Sequence, residues 1–227
     1  MKNTFRFLLL VYFTCCELSA DAQHYVRTKK NIGVFASYYM PDFSLGKGDH
    51  TGTTSGSGFG IGITHEIKGC LFPELFFVSH TGNAFIPDNS STYHTTGISS
   101  RALGAGLLFK YNLFPINQHK KKGYCFERMI NFILGPEYTY PLGMNAPAGF
   151  KQNGEFAVKA GLGMFSVWGG SSKSHLSWVI HWELYYRQGL TPYLRSDLPL
   201  ANEKYTLSSV GLTLRIMYFR TYKFSDM

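Results

Sequence analysis

Ten ionisable residues stand at alternate positions within apolar-rich stretches: Glu66, Glu74, Lys110, Glu137, Glu155, Lys159, His181, Glu183, Arg187 and Arg215. Five carboxylates, four permanent cations and one imidazole can do three kinds of chemistry. They can pair as buried salt bridges, line a path for ions, or act as acids and bases on a bound substrate. Burial favours the first, because a charge taken out of water is tolerated only when it is paired and hydrogen-bonded. The spacing around Arg215 shows how such residues must be carried. Val210, Leu212, Leu214, Ile216 and Tyr218 fall on one face of an extended chain, and Ser209, Gly211, Thr213, Arg215 and Met217 fall on the other. Strand side chains alternate in this way, so one face suits an apolar medium and its reverse suits an enclosed polar interior.

Motifs for covalent or metal chemistry are not found. The histidines, at positions 24, 50, 65, 80, 94, 119, 175 and 181, form no H-E-x-x-H pair, and no G-x-S-x-G occurs. Gly58, Gly60 and Gly62 sit in a strand pattern with no helix after them, so they make no phosphate loop. No catalytic residue, metal ligand set or cofactor is therefore expected. Of the four cysteines, Cys15 and Cys16 belong to the leader described below. Cys70 and Cys125 fall in connections expected on one rim, where an oxidising compartment would permit a bridge if their Cα atoms come close enough.

The elements that must position the charged set are strands. Eight segments alternate in the required way, at about 31–40, 58–67, 71–81, 101–113, 129–140, 154–168, 176–189 and 205–220. Their opposite faces offer Phe59, Ile61 and Ile63; Leu71, Leu75 and Phe77; Leu103, Leu107 and Phe109; Phe132, Leu134, Tyr138 and Tyr140; Phe156, Val158, Leu162 and Met164; and Trp178, Ile180, Trp182, Leu184 and Tyr186. Aromatic residues near segment ends suit two interfacial girdles. Long polar connections at 41–57, 82–100, 141–153 and 190–204 alternate with short ones at 68–70 and 169–175, and 114–128 is long where a short turn is expected. The fold expected is all-β: an eight-stranded antiparallel up-and-down transmembrane β-barrel with long outer loops and mostly short periplasmic turns. A barrel of this size is filled by its own side chains, with glycines inside making room for long ones.

Lys2 and Arg6, the apolar run 7–13 and Ala20-Asp21-Ala22 read as a secretory signal over 1–22. A periplasmic segment over 23–30, the barrel over 31–220 and a tail over 221–227 complete the organisation. Net charge is +8. The cations are scattered except for Lys120, Lys121 and Lys122, and export separates the chain from nucleic acid, so no nucleic-acid partner is expected. That basic cluster suits anionic headgroups or a periplasmic protein.

The signal ending at Gln23, the eight strands and the closing strand V-G-L-T-L-R-I-M-Y-F at 210–219 resemble the small outer-membrane β-barrel proteins of the Bacteroidota, a group that includes PorT-like proteins. The resemblance implies an outer-membrane location and, for the PorT-like members, a part in protein secretion. Ser79-His80-Thr81-Gly82-Asn83 also resembles the H-x-S-N element of outer-membrane lipid A deacylases, with glycine where that family has its nucleophilic serine. The function expected is non-enzymatic: a monomeric barrel embedded in outer-membrane lipid, binding a protein partner through outer loops or the periplasmic face. Phe85, Ile86, Pro87 and Tyr93 in one loop, and Pro192, Tyr193, Leu194, Leu198, Pro199 and Leu200 in another, are candidate contacts or candidate packing on the barrel mouth. The alternatives are a secretion accessory, a narrow channel and a lipid A-modifying enzyme.

Overall fold

In the computed structural model, β1 (Asn31–Leu45) is hydrogen-bonded antiparallel on one side to β3 (Ser57–Glu66) and on the other to the last strand, β11 (Lys204–Arg220), which closes the sheet into a barrel. The wall continues through β4 (Leu71–Pro87), β5 (Tyr93–Lys121), β6 (Tyr124–Asn145), β8 (Glu155–Gly169) and β9 (Leu176–Gly189), each antiparallel to its neighbour. Three short strands, β2 (Thr53–Ser55), β7 (Phe150–Gln152) and β10 (Leu194–Ser196), extend the sheet at one end. The structure describes residues 31–45, 53–67, 70–87, 93–121, 124–146, 149–169, 176–196 and 204–220. The signal, the segment over 23–30 and the tail lie outside the described residues.

Closure is sheared. The hydrogen-bonded row that starts at Lys110 passes Ile133, Gly161, Tyr185, Gly211, Tyr39, Gly58 and His80, and returns to β5 at Ser100, ten residues earlier. That offset tilts every strand against the barrel axis and fixes the bore. Within the row, large rings alternate with glycine. A Cβ added at Gly211 would run into the Tyr185 ring, and one at Gly58 into Tyr39, so glycine leaves the room that each ring occupies.

The outside is apolar. Ile61, Leu184 and Val210 are 55%, 61% and 52% exposed, and Ile32, Ile63, Leu75, Leu103, Leu107, Leu162 and Leu212 are exposed with them. An apolar belt around a wall that closes on itself belongs in lipid, where every backbone group must find its partner internally. The chain is a transmembrane β-barrel. Trp178 and Tyr218 pair across strands with ring centroids 5.2 Å apart near the end that carries residues 31 and 220. Tyr138 and Phe156 do so at 4.7 Å towards the other end. No helix of the described residues is long and apolar enough to cross a membrane.

Three sequence expectations change. Phe109 is buried instead of facing lipid, and Leu71 and Leu134, its partners in register, are only partly exposed. The connection over 114–128 is no loop: β5 runs to Lys121 and β6 starts at Tyr124, with Lys121 opposite Tyr124. The connections over 82–100 and 141–153 shrink as well, since β4 and β5 stay paired out to Pro87 and Tyr93, and β7 forms within the second.

Candidate functional site

The charged set lies inside. Glu74, Lys110, Glu137, Glu155, Lys159, His181, Glu183, Arg187 and Arg215 are buried, and the Glu66 side chain is nearly so. Alternation along each strand turns them inward, and shear brings distant strands to one level. Arg215 on β11 is wholly buried. It donates from Nε and Nη2 to the two oxygens of Glu183 at 2.5 and 2.8 Å, and its Nη1 donates to Glu74 on β4. Glu183 also accepts an ion pair from Lys159 at 3.5 Å and lies 3.1 Å from His181 Nδ1. Lys159 reaches Glu137 at 3.9 Å. Arg187 then donates from Nε to Glu137 at 3.0 Å and from Nη2 to Glu155 at 2.6 Å. Glu155 accepts the backbone N–H of Leu207 at 3.2 Å.

Eight of the ten residues are thus joined into one network. Lys110 and Glu66 form a separate pair at 2.8 Å, towards the end that carries residues 31 and 220. Lys110 sits 4.5 Å from the Phe165 ring centre and 4.9 Å from that of Phe72, so aromatic faces supply the rest of its environment. Lys159 uses Tyr185 in the same way, at 4.2 Å, and the Arg215 guanidinium lies 4.9 Å from Phe35. His181 Nε2 is 3.0 Å from Asn131 Oδ1.

Apolar clusters bracket the charges. Towards the end bearing residues 31 and 220, Phe72, Leu108, Phe165, Val179 and Met217 pack together with Met129 against them. At the opposite end Ile98, Phe150, Tyr193, Leu194, Tyr205 and Leu207 form a cap. The cap is built by two loops that meet, with β10 pairing β7 on one side and β11 on the other. Tyr193 is its pin. Its N–H donates to Tyr205 O at 2.7 Å, its hydroxyl donates to Ser100 Oγ at 2.9 Å and accepts from Gln152 Nε2 at 2.5 Å, and its ring lies 5.0 Å from that of His80. Burial pushes the Tyr193 hydroxyl above the ordinary phenol range, so it stays a donor. Tyr193 and Leu194 therefore pack into the mouth. The side chains of Phe85, Ile86, Pro87, Tyr93, Leu198, Pro199 and Leu200 lie outside the described residues.

Beneath the cap is a cavity of about 40 Å³, lined among others by Tyr39, His80, Glu74, Thr139, Arg187 and Tyr193. Glu74 Oε2, Thr139 Oγ1 and Arg187 Nη1 line it with no hydrogen-bond partner among the described residues. Such a volume admits roughly three waters at ~10–15 Å³ each. It is too small for an organic substrate. His80 faces this interior, with Nδ1 3.3 Å from the Tyr39 hydroxyl, so the histidine of the deacylase-like element does not meet lipid. No group of three or more His, Cys, Asp or Glu among the described residues is placed to hold a metal ion.

The two cysteines are far apart along the wall. The Cys70 carbonyl accepts from the N–H of Lys110, whereas Cys125 is in register with Lys120 on the other side of the same strand. From Lys110 to Lys120 is roughly 33 Å at ~3.3 Å per residue, against a bridging Cα separation under about 7 Å. The Cys125 side chain lies outside the described residues. Tyr193 is among the candidates for packing on the barrel mouth, but sequence reasoning did not find Tyr39 and Tyr185 as interior residues. The signal was their parity, shared with Gly211, Gly58 and the charged set.

No protein family and no curated relative matches the chain. Similar solved structures include the outer membrane protein OprG from Pseudomonas aeruginosa, 11% identical over 88% of this chain and 98% of that one, with a TM-score of 0.45. Neisserial surface protein A is 11% identical over 82% and 96%, with a TM-score of 0.35. Ail, the attachment invasion locus protein of Yersinia pestis, is 12% identical over 82% and 99%, with a TM-score of 0.32.

Proposed function

We propose that this protein is a non-enzymatic barrel of the outer membrane that acts as a structural or interaction protein through its outer loops, with its interior closed by the Glu/Arg/Lys network. The observation that carries this reading is the filled bore: interlinked charges lie between two apolar clusters, and the cavity beneath the cap holds about 40 Å³. A plugged barrel presents its environment with a lipid-facing belt and two rims, and binding at a rim is the use left to it. Long loops outside and termini with tight turns in the periplasm are the usual orientation of such barrels. The resemblance of the closing strand to small barrels of the Bacteroidota supports a cell-envelope role of this kind, protein secretion included.

The test is cell fractionation with a heat-modifiability gel, followed by planar-bilayer recording of the purified barrel. The expected result is an outer-membrane protein that migrates faster unboiled than boiled and gives no unitary conductance steps. Recovery in the soluble fraction with no shift would sink the reading. Reproducible conductance steps would replace the scaffold with a narrow channel.

A further inference from the structure

The β5–β6 hairpin outgrows the barrel, and its outer edge has no strand beside it. β4 begins at Leu71, opposite Phe109, and the last contact on that side is the Lys110 N–H donating to Cys70 O at 2.7 Å. β5 then continues to Lys121, paired with β6 on one side only. Among the described residues nothing pairs with its other edge from Tyr111 to Lys121. At ~3.3 Å per residue that edge is roughly 36 Å long. A row of open N–H and C=O groups is a template for another strand.

We propose that this edge docks an extended acidic segment of a periplasmic protein by strand addition. The inference rests on the orientation proposed above, which puts this end in the periplasm. Charge chooses the occupant. From Tyr111 to Lys122 the sequence holds three lysines and neither Asp nor Glu, and no acidic residue occurs anywhere in β5. Residues 23–30 of the chain itself carry Arg27, Lys29 and Lys30 and no acid, so they would be repelled from the edge. β11 ends on the opposite side of the barrel, since three strands separate it from β5 in either direction.

Proline and lysine are also the devices by which proteins blunt an edge. Their placement here separates the two roles. Irregularities at Asn112/Phe114 and Pro115/Asn117 disturb the stretch nearest the wall. Beyond them the register is regular from Asn117 opposite Arg128 to Lys121 opposite Tyr124, which leaves a straight edge past the proline and next to the lysines. Anionic lipid would answer the charge but has no use for an open ladder.

The experiment uses the full mature barrel folded in detergent, its fold verified by heat modifiability. Three labelled octapeptides are titrated by fluorescence anisotropy: one alternating Thr or Val with Glu, the same peptide N-methylated along one edge, and a Lys counterpart. The acidic peptide should bind, and the N-methylated and basic peptides should bind about tenfold or more weakly. The variant K120E/K121E should lose about tenfold in affinity for the acidic peptide while keeping its gel shift. Equal binding of the N-methylated peptide, no binding by a folded barrel, or full displacement by anionic phospholipid vesicles would overturn the inference. If the wild-type protein shows no gel shift, the barrel reading fails first, and the two failures are distinguishable.

Discussion

Arg215 and Glu183 meet through two parallel hydrogen bonds from adjacent strands, and the third nitrogen of the same guanidinium crosses the interior to Glu74. One side chain thereby ties β11 to its neighbour β9 and, past β1 and β3, to β4. Arg215→Met should leave buried Glu74 without its ion-pair partner and Glu183 with Lys159 and His181 alone, and cost about 3–5 kcal/mol of unfolding free energy, measured by urea titration of the gel shift in lipid vesicles. Replacing Glu74 and Glu183 by leucine in the same chain should recover most of that loss, since the charges are costly to bury in the first place.

Tyr185 occupies the space that a side chain at Gly211 would need. Gly211→Val should cost about 1–3 kcal/mol by overpacking. Adding Tyr185→Ala should relieve part of the cost, so a double-mutant cycle should show the two changes to be coupled. Additive losses would mean that the ring is not held over the glycine.

Tyr193 ties the cap together through Ser100 and Gln152. Tyr193→Phe removes both bonds and keeps the ring, and about 1–2 kcal/mol should be lost locally. Amide hydrogen exchange should accelerate by roughly tenfold in β7 and β10 and stay unchanged in the middle of β9 and β11. Uniform acceleration would assign the cap to global stability.

Leu184, mid-strand on the outer face, and Leu190, just beyond the end of β9, are about equally exposed. Their depth in the bilayer differs. Leu184→Arg should cost about 2–4 kcal/mol and Leu190→Arg about 0–1 kcal/mol, read from folding titrations into vesicles. Equal costs would contradict the position of the belt.

Which face each residue takes is legible in the sequence, because strand parity is a local property: Arg215 stands between Leu214 and Ile216, and Glu183 between Trp182 and Leu184. Who meets whom is not legible. Glu74 and Arg215 lie 141 residues apart, and only closure with its ten-residue offset brings them together. The same limit hides the cap, since β10 finds β7 only when two loops converge. Along 114–128 the proline, glycine and lysines read locally as a loop, yet pairing with β6 and then β8 holds most of it as strand. Phe109 has outward parity and is buried all the same, which parity alone does not foretell.

The alternation that gives each strand two faces also governs how the chain can travel before it folds. Apolar residues at every second position form no continuous run that a bilayer would retain as a helix. They become a belt only when the strands pair and line them up side by side. Affinity for lipid is therefore created by assembly, and a newly made copy can cross one membrane and the water beyond it before it has any means of settling in another.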